Sequence, residues 1–413
     1  MTKNFQRENQ DEKPEVGKHR VSKAGSDDGA FHKEAVEHFE RRRARLQIVE
    51  TTYTPSGQTL DWIPRQSQLP SGKIATPPPL FDSRVTGGRN YAEPARFELE
   101  EDECVRGQEG TVPVLRKDFT KIHVRRSLRE YLSKHRGRRR RSNRPPNGIY
   151  APPPEEGGGH LHAQSGQYVY NLGGEGHISV HDPYTETSDD FSLMQIGIIN
   201  DENNGLIQSA EAGIQEMQDI YGDYVPHLFV YYTTNNYSND DDNVGGYNQD
   251  VDGWVQYDSA VYPGATFTSV STPGGAQFSI LIKYQFYRGN WWFRAGDRWI
   301  GYYPGGLYEG NRSVFSSLGD HANWIGFWGE VFDSEDVSGL TSTTMGSGFW
   351  AESQWPWAAY QRNLLVQDRS GALRDFNADS TVVENPNMYD LEIHMKSGTD
   401  WGSYQWLGGP GAG

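Results

Sequence analysis

Beyond about residue 160 the chain alternates apolar and polar side chains in short runs broken by Gly, Pro, Asn and Asp clusters, a pattern that commits it to strands. The clearest run is 277–287, where Phe278, Ile280, Ile282, Tyr284 and Phe286 fall on one face and Gln277, Ser279, Lys283 and Gln285 on the other. Residues 191–199, 228–233, 253–257, 291–294, 299–303 and 324–332 read the same way. Many short strands without regular helices predict an antiparallel sandwich or barrel. No internal repeat of fixed period is present.

The first third has a different composition. Eleven of the twelve tryptophans lie beyond residue 150, Trp62 being the exception. Residues 1–147 hold 30 Lys and Arg against 21 Asp and Glu, and the remainder 9 against 34, so a basic leader precedes an acidic body. Opposite charge predicts that the leader docks on the body and that acid loosens it. A disordered basic tail beside an ordinary acidic domain satisfies the same numbers.

Within the leader, residues 1–30 read as disorder and 31–50 as a helix around Arg41-Arg42-Arg43. Residues 51–116 read as extended pieces laid on a partner surface, and 117–135 as a second, amphipathic helix. The resulting division is a disordered or helical leader over 1–46, a partly helical region over 47–135, an exposed Arg/Pro/Gly-rich linker over 136–159 and an all-β body over 160–413. The default reading of the linker's arginine run is solubilising charge.

Several classes are disfavoured at once. A net charge of −16 argues against nucleic-acid binding by the whole chain, and no apolar run approaches the roughly 18 residues of a membrane span. Cys104, the only cysteine, rules out an intrachain disulfide and a cysteine zinc site. The first ten residues are polar and lack the apolar stretch of a secretory signal, so export is not supported by the sequence as written.

Two glutamates stand out. Glu211 lies in Ser209-Ala-Glu-Ala-Gly213 and Glu330 in Trp324-Ile-Gly-Phe-Trp-Gly-Glu-Val-Phe332. At strand period Glu330 shares a face with Trp324, Gly326 and Trp328, and Glu211 one with Ile207, Ser209, Gly213 and Gln215. Carboxyls among aromatic and small neutral residues resist ionisation, and two close together cannot easily both ionise; that is the profile of an acid/base pair. Half-buried sheet residues satisfied by a hydrogen bond fit the same sequence.

Other constellations are weaker. His160, His162, His177 and His181 lack helical metal-ligand spacing, and Asp240-Asp-Asp242 with Asp250-Val-Asp252 lacks the distal Glu of a calcium loop. Ser347 has no nucleophile-elbow context. No metal or cofactor is expected.

Ala210-Glu-Ala-Gly213, Tyr221-Gly-Asp223, Leu228-Phe-Val-Tyr-Tyr-Thr233, Gly253-Trp-Val-Gln256, Gly289-Asn-Trp-Trp292, Gly301-Tyr-Tyr-Pro304, Trp328-Gly-Glu-Val331 and Met345-Gly-Ser-Gly348 occur in the order and approximate spacing of the neprosin domain. The leader resembles the neprosin activation region in Leu60-Asp-Trp-Ile-Pro64 and Gly110-Thr-Val-Pro-Val-Leu-Arg116, so the resemblance runs from about residue 47 nearly to the end.

It implies an antiparallel β-sandwich glutamic endopeptidase, made as a zymogen with its pro-region bound intramolecularly, secreted, acid-active and cleaving peptides after proline. Glu211 and Glu330 match the two catalytic positions. Chemistry without a nucleophile or metal needs one ionised carboxylate to activate water and one protonated carboxyl to polarise the amide. The residues do not fix which is which; Glu211 is taken as the base. Trp328 and Tyr303 are the aromatic faces proposed for the proline ring.

The chain departs from the family pattern at Gly246 and Val251, which stand where a cysteine pair is usual, and at Ile214, where a tryptophan is usual. A carbohydrate-active or carbohydrate-binding sandwich and a non-catalytic descendant of the family are the alternatives.

Overall fold

The computed structural model describes residues 24–80, 92–133, 159–202, 206–237, 245–311, 316–335 and 340–412. Two large, mostly antiparallel sheets pack face to face as a sandwich. The first has seven strands in the order Gly245–Tyr247, His227–Thr233, Gln208–Glu216, Phe191–Asn200, Ala322–Phe332, His160–Asn171 and Ser380–Val383. The second has ten, centred on Phe278–Tyr287, Gly173–Ser179 and Ala359–Gln367.

Alternation decides what lies between the sheets. Ile196, Ile198, Ala210, Ala212, Val230, Ile325 and Phe327 of the first sheet meet Ile178, Ile280, Ile282 and Tyr284 of the second in one buried cluster. At about 25 cal/mol per Å2 of apolar surface, this burial is the main source of cohesion, and the described chain has no disulfide. The polar face of the 278–287 strand is covered as well: Lys283 pairs with Glu175, its register neighbour, at 2.9 Å. Gly246 and Val251 touch, since a Cβ on Gly246 would meet the Val251 methyls; small-against-branched packing fills the place of the family's cysteine pair.

The leader forms a helix, Ala24–Arg43, and a three-stranded sheet, Glu50–Tyr53, Thr59–Pro64 and Thr111–Arg116. The helix stops earlier than its sequence predicts: the Arg45 and Leu46 amides turn back to the Arg42 and Arg43 carbonyls, Arg43 pairs with Asp61 at 2.7 Å, and the Val49 amide joins Trp62. The predicted helix over 117–135 shrinks to Leu128–Leu132. Asp118 draws the backbone into a turn by accepting from the Thr120 amide and hydroxyl, and a Ser127/Glu130 capping box starts helix only at Leu128. Residues 1–23 and 134–158, and with them most of the predicted disorder and linker, lie outside the described residues, while 24–30, also read as disorder, form the start of the helix.

Charge alone does not hold the leader. Leu60, Trp62, Phe97 and Leu99 belong to the same buried cluster as the sandwich core, and Glu93–Pro94 pairs with the start of the 278–287 strand, at Phe278 and Ser279. Around this apolar contact Lys117 pairs with Asp250 at 2.7 Å, Arg42 with Asp252 at 2.9 Å and Arg126 with Asp219 at 2.5 Å. The last is an ion pair without hydrogen-bond alignment.

Candidate active site

The outward face of the seven-stranded sheet carries the predicted pair. Glu211 and Glu330 sit on strands that are not neighbours; the strand Phe191–Asn200 runs between them, with Gly197 opposite Glu211 and Leu193 opposite Glu330. Gln195, between those two positions, reaches both carboxylates: its side-chain N–H donates to Glu211 Oε2 at 3.2 Å and to Glu330 Oε2 at 3.4 Å. The two carboxyl oxygens are therefore separated by no more than those two bonds laid end to end. Both glutamates are almost wholly shielded, at 0% and 1% exposure.

Their surroundings differ in kind. Glu211 Oε1 accepts from the Ser209 hydroxyl at 2.8 Å and the Tyr237 hydroxyl at 2.6 Å, groups that both donate and accept. Tyr237 follows Asn236, both at positive φ, 54° and 55°. This turn is clamped to the Glu211 strand, the Ile207 amide donating to Asn236 Oδ1 at 2.7 Å and the Asn236 amide to the Ile207 carbonyl at 2.9 Å. Backbone held in that region costs on the order of 1–3 kcal/mol per residue and persists where surrounding contacts impose it.

Glu330 is surrounded by ring and amide nitrogens. Its Oε1 meets His160 Nδ1 at 2.8 Å and His162 Nε2 at 3.6 Å, and its Oε2 accepts from Trp328 Nε1 at 3.3 Å as well as from Gln195. On the far side of the His162 ring, Nδ1 lies 2.6 Å from Glu384 Oε2. Burial alone would lower the His162 pKa, but the Glu330 and Glu384 carboxylates outweigh it and raise it from 6.5 to about 10. A raised imidazole pKa stabilises the fold fully below about 6.5, and that contribution is lost as pH climbs through about 10. The melting temperature of wild-type protein should therefore fall more steeply than that of a His162→Gln variant over this window.

A row of glycines crosses the sheet beside the pair. Gly197, Gly326 and Gly166 are register neighbours on three adjacent strands, in line with Glu211. A Cβ on Gly197 would run into the Trp328 ring, and one on Gly326 or Gly166 into the Trp324 ring. Without side chains in that row the two indoles lie down on the sheet, 5.9 Å apart between ring centroids, and form an aromatic floor. Next to it, Gln164, Tyr168, Ile199, Asp201, Ile207, Tyr237 and Trp324 line a small recess. Within it Gln164 Oε1, the Tyr168 hydroxyl and Trp324 Nε1 have no protein partner.

Of the residues singled out in the sequence, Glu211, Glu330 and Trp328 come together here. Tyr303 does not: alternation along Arg298–Pro304 turns it into the core between the sheets, where it is 0% exposed and packs against Tyr232 and Trp254 at 5.1 Å each. Its assignment to the proline ring is corrected on that ground. Sequence reading missed Gln195 and Tyr237 and gave His160 and His162 no part in the pair; the one available signal for Gln195 was a lone amide in the apolar run Phe191–Ile199. The four histidines do not converge, His181 lining a separate cavity with Ser192 and Glu216. Among the described residues no three His, Cys, Asp or Glu side chains are arranged to hold a metal, and no helix is long and apolar enough to cross a membrane.

A family model described as Neprosin matches residues 188–410, a span that contains both glutamates. Among solved structures, the chain is similar to SCP-B, a member of the eqolisin family of peptidases in complex with the tripeptide Ala-Ile-His, at 9% identity and a TM-score of 0.32 over 61% of this chain and 98% of that one. It is also similar to scytalido-glutamic peptidase with a peptide-based transition-state analogue, at 8% identity and a TM-score of 0.30 over 60% and 97%.

Proposed function

This chain belongs to the neprosin family, and from that premise we propose that it is a glutamic endopeptidase in which Glu330 and Glu211 divide the work of hydrolysing a peptide bond. The observation that carries this reading is the Gln195 amide, which spans two carboxylates from strands more than a hundred residues apart. Two carboxyls held by one donor in a shielded cleft are matched to acid/base chemistry.

The surroundings favour Glu330 as the base, the reverse of the assignment taken from sequence. Four nitrogen groups face its oxygens, which favours the ionised form, whereas the hydroxyls on Glu211 accept as readily as they donate and so tolerate a proton there. Glu330 takes a proton from water as the water oxygen bonds to the carbonyl carbon, and Glu211 gives its proton to the carbonyl oxygen. The tetrahedral species collapses when Glu330 passes its proton to the amide nitrogen and the C–N bond breaks; Glu211 then recovers a proton from the former carbonyl oxygen. The Gln195 carbonyl oxygen, which has no protein donor, is available to orient the water.

One carboxyl protonated and one ionised places the activity on the acid side of neutrality. The indoles of Trp328 and Trp324 offer flat apolar faces suited to a pyrrolidine ring, the basis for proposing cleavage after proline. A zymogen reading, in which the leader must leave or shift before substrate enters, is supported by the docking of Leu60, Trp62, Phe97 and Leu99 into the sandwich core.

Asp219 is held up at about 6 chiefly by burial, against the pull of Arg126, so the docked state keeps its proton at a higher pH than free solvent would allow.

The test is cleavage of proline-containing peptides at about pH 3–5, the range in which a carboxyl pair is half protonated, by protein first held in acid. Turnover of peptides and not of glycans supports the reading; turnover of glycans alone overturns it. Tyr237→Phe should lower kcat/KM by about five- to tenfold, as expected for one hydrogen bond to a neutral carboxyl. It should also move the alkaline limb of the pH profile upward, because ionised Glu211 loses a donor. An unchanged profile would remove Tyr237 from the account.

A further inference from the structure

We propose that His162, clamped by Glu384, is a positioning residue that places a fixed positive charge on Glu330 and thereby sets the acid edge of the activity. This rests on the peptidase reading above and adds residues that reading does not require.

The argument begins with geometry. His162 Nδ1 is 2.6 Å from Glu384 Oε2 and Nε2 is 3.6 Å from Glu330 Oε1, so both ring nitrogens face a carboxylate. A neutral imidazole donates from only one nitrogen; the arrangement is complete only for the imidazolium. Glu384 grips the residue at three points. Its carboxylate also accepts from the His162 backbone amide at 3.0 Å, and its own amide donates to the His162 carbonyl at 2.9 Å. The ring therefore cannot swing away from Glu330 without breaking the Glu384 contacts.

The neighbouring element completes the cage. His160, two residues earlier and on the same face, meets the same oxygen of Glu330 at 2.8 Å, and its ring is roughly parallel to that of His162 at 6.2 Å. Phe332 and Phe191 pack on the His160 ring at 4.7 and 5.8 Å. The ionisable groups seen to face the cluster are His160 and His162 from one strand, Glu330 from the next, Glu384 from the edge, and Glu211 with Tyr237 through Gln195. The intervening strand contributes Gln195 and Leu193, neither of them charged.

The consequence is an asymmetry within the pair. Two carboxyls sharing one proton have no intrinsic preference; a cation behind one of them makes that one the ionised partner and keeps it ionised further into acid. Glu384 supplies the counter-charge that lets a buried imidazole hold its proton.

The test compares pH–rate profiles of wild type, His162→Gln and Glu384→Gln on a proline-containing peptide, with side-chain 15N NMR of His162 in the same proteins and in Glu330→Gln. The acid limb is expected to rise by about one to two pH units in His162→Gln, the usual effect of losing an opposite charge at this range, and by less in Glu384→Gln, with kcat at the optimum changed only a few-fold. By NMR the wild-type ring should stay doubly protonated above neutrality and titrate lower in Glu330→Gln. A merely structural role would lower activity at every pH and leave the limb in place, and that result, in whichever variant folds, overturns the proposal. A ring found neutral at acid pH overturns it as well. If wild type cleaves no peptide, the peptidase reading fails, and the NMR titration alone decides whether His162 carries its charge against Glu330.

Discussion

Glu330→Gln is expected to lower kcat for peptide cleavage by about a thousandfold or more, the upper part of the range for loss of a general base, while leaving the fold intact. The amide is isosteric with the carboxylate and can still bond to His160, Trp328 and Gln195, so packing around it changes little. What it cannot do is take a proton from water. KM should change far less than kcat, since the lost interaction is made only on the way to the transition state. Circular dichroism and melting temperature, read beside steady-state rates, separate this outcome from unfolding. A variant that folds and cleaves at the wild-type rate would remove Glu330 from the chemistry.

The second large effect concerns the sheet itself. Gly213 lies two residues from Glu211, and a Cβ there would collide with the Met194 carbonyl and the Gln195 backbone on the adjoining strand. Backbone in the middle of a paired strand cannot give way, so Gly213→Ala should cost about 3 kcal/mol, the top of the overpacking range. It should also pull Gln195 out of register with the pair. Gly326→Ala meets a side chain instead, the Trp324 ring. The indole can lift, so the stability cost should be nearer 1 kcal/mol, but the floor is disturbed and kcat/KM falls with KM rising. Chemical denaturation and Michaelis kinetics on the two variants should show opposite emphases, stability lost in one and substrate binding in the other. Equal stability losses would contradict the distinction between backbone and indole.

Alternation carried much of the architecture. It placed Trp324, Trp328 and Glu330 on one face and Ile325, Phe327 and Val331 on the other, and the structure shows that second face to be the core side. It also set Glu211 beside Ser209 and Gly213. What period alone cannot supply is which strands become neighbours. The strand bearing Gln195 separates the two glutamate strands, and that ordering depends on sheet topology, so neither the Gln195 bridge nor the cage of His160, His162 and Glu384 was visible.

Tyr303 shows the converse. Its aromatic character suited a substrate face, but only the packing of the second sheet reveals that its side of the strand looks inward. The helix expected over 117–135 failed for a local reason, the competition of the Asp118 side chain for backbone amides. The role of the glycine row was hidden because three glycines on three strands become one groove only after register is fixed.

The central claim is that Glu211 and Glu330 act as one unit across the strand between them. A double-mutant cycle on cleavage of a proline-containing peptide measures this directly, using Glu211→Gln, Glu330→Gln and the double variant. Groups that share a single proton-transfer sequence are expected to be strongly non-additive, the double variant being about as slow as either single one. Losses that multiply, or either single variant working at the wild-type rate, would mean that the two carboxyls do not share a reaction.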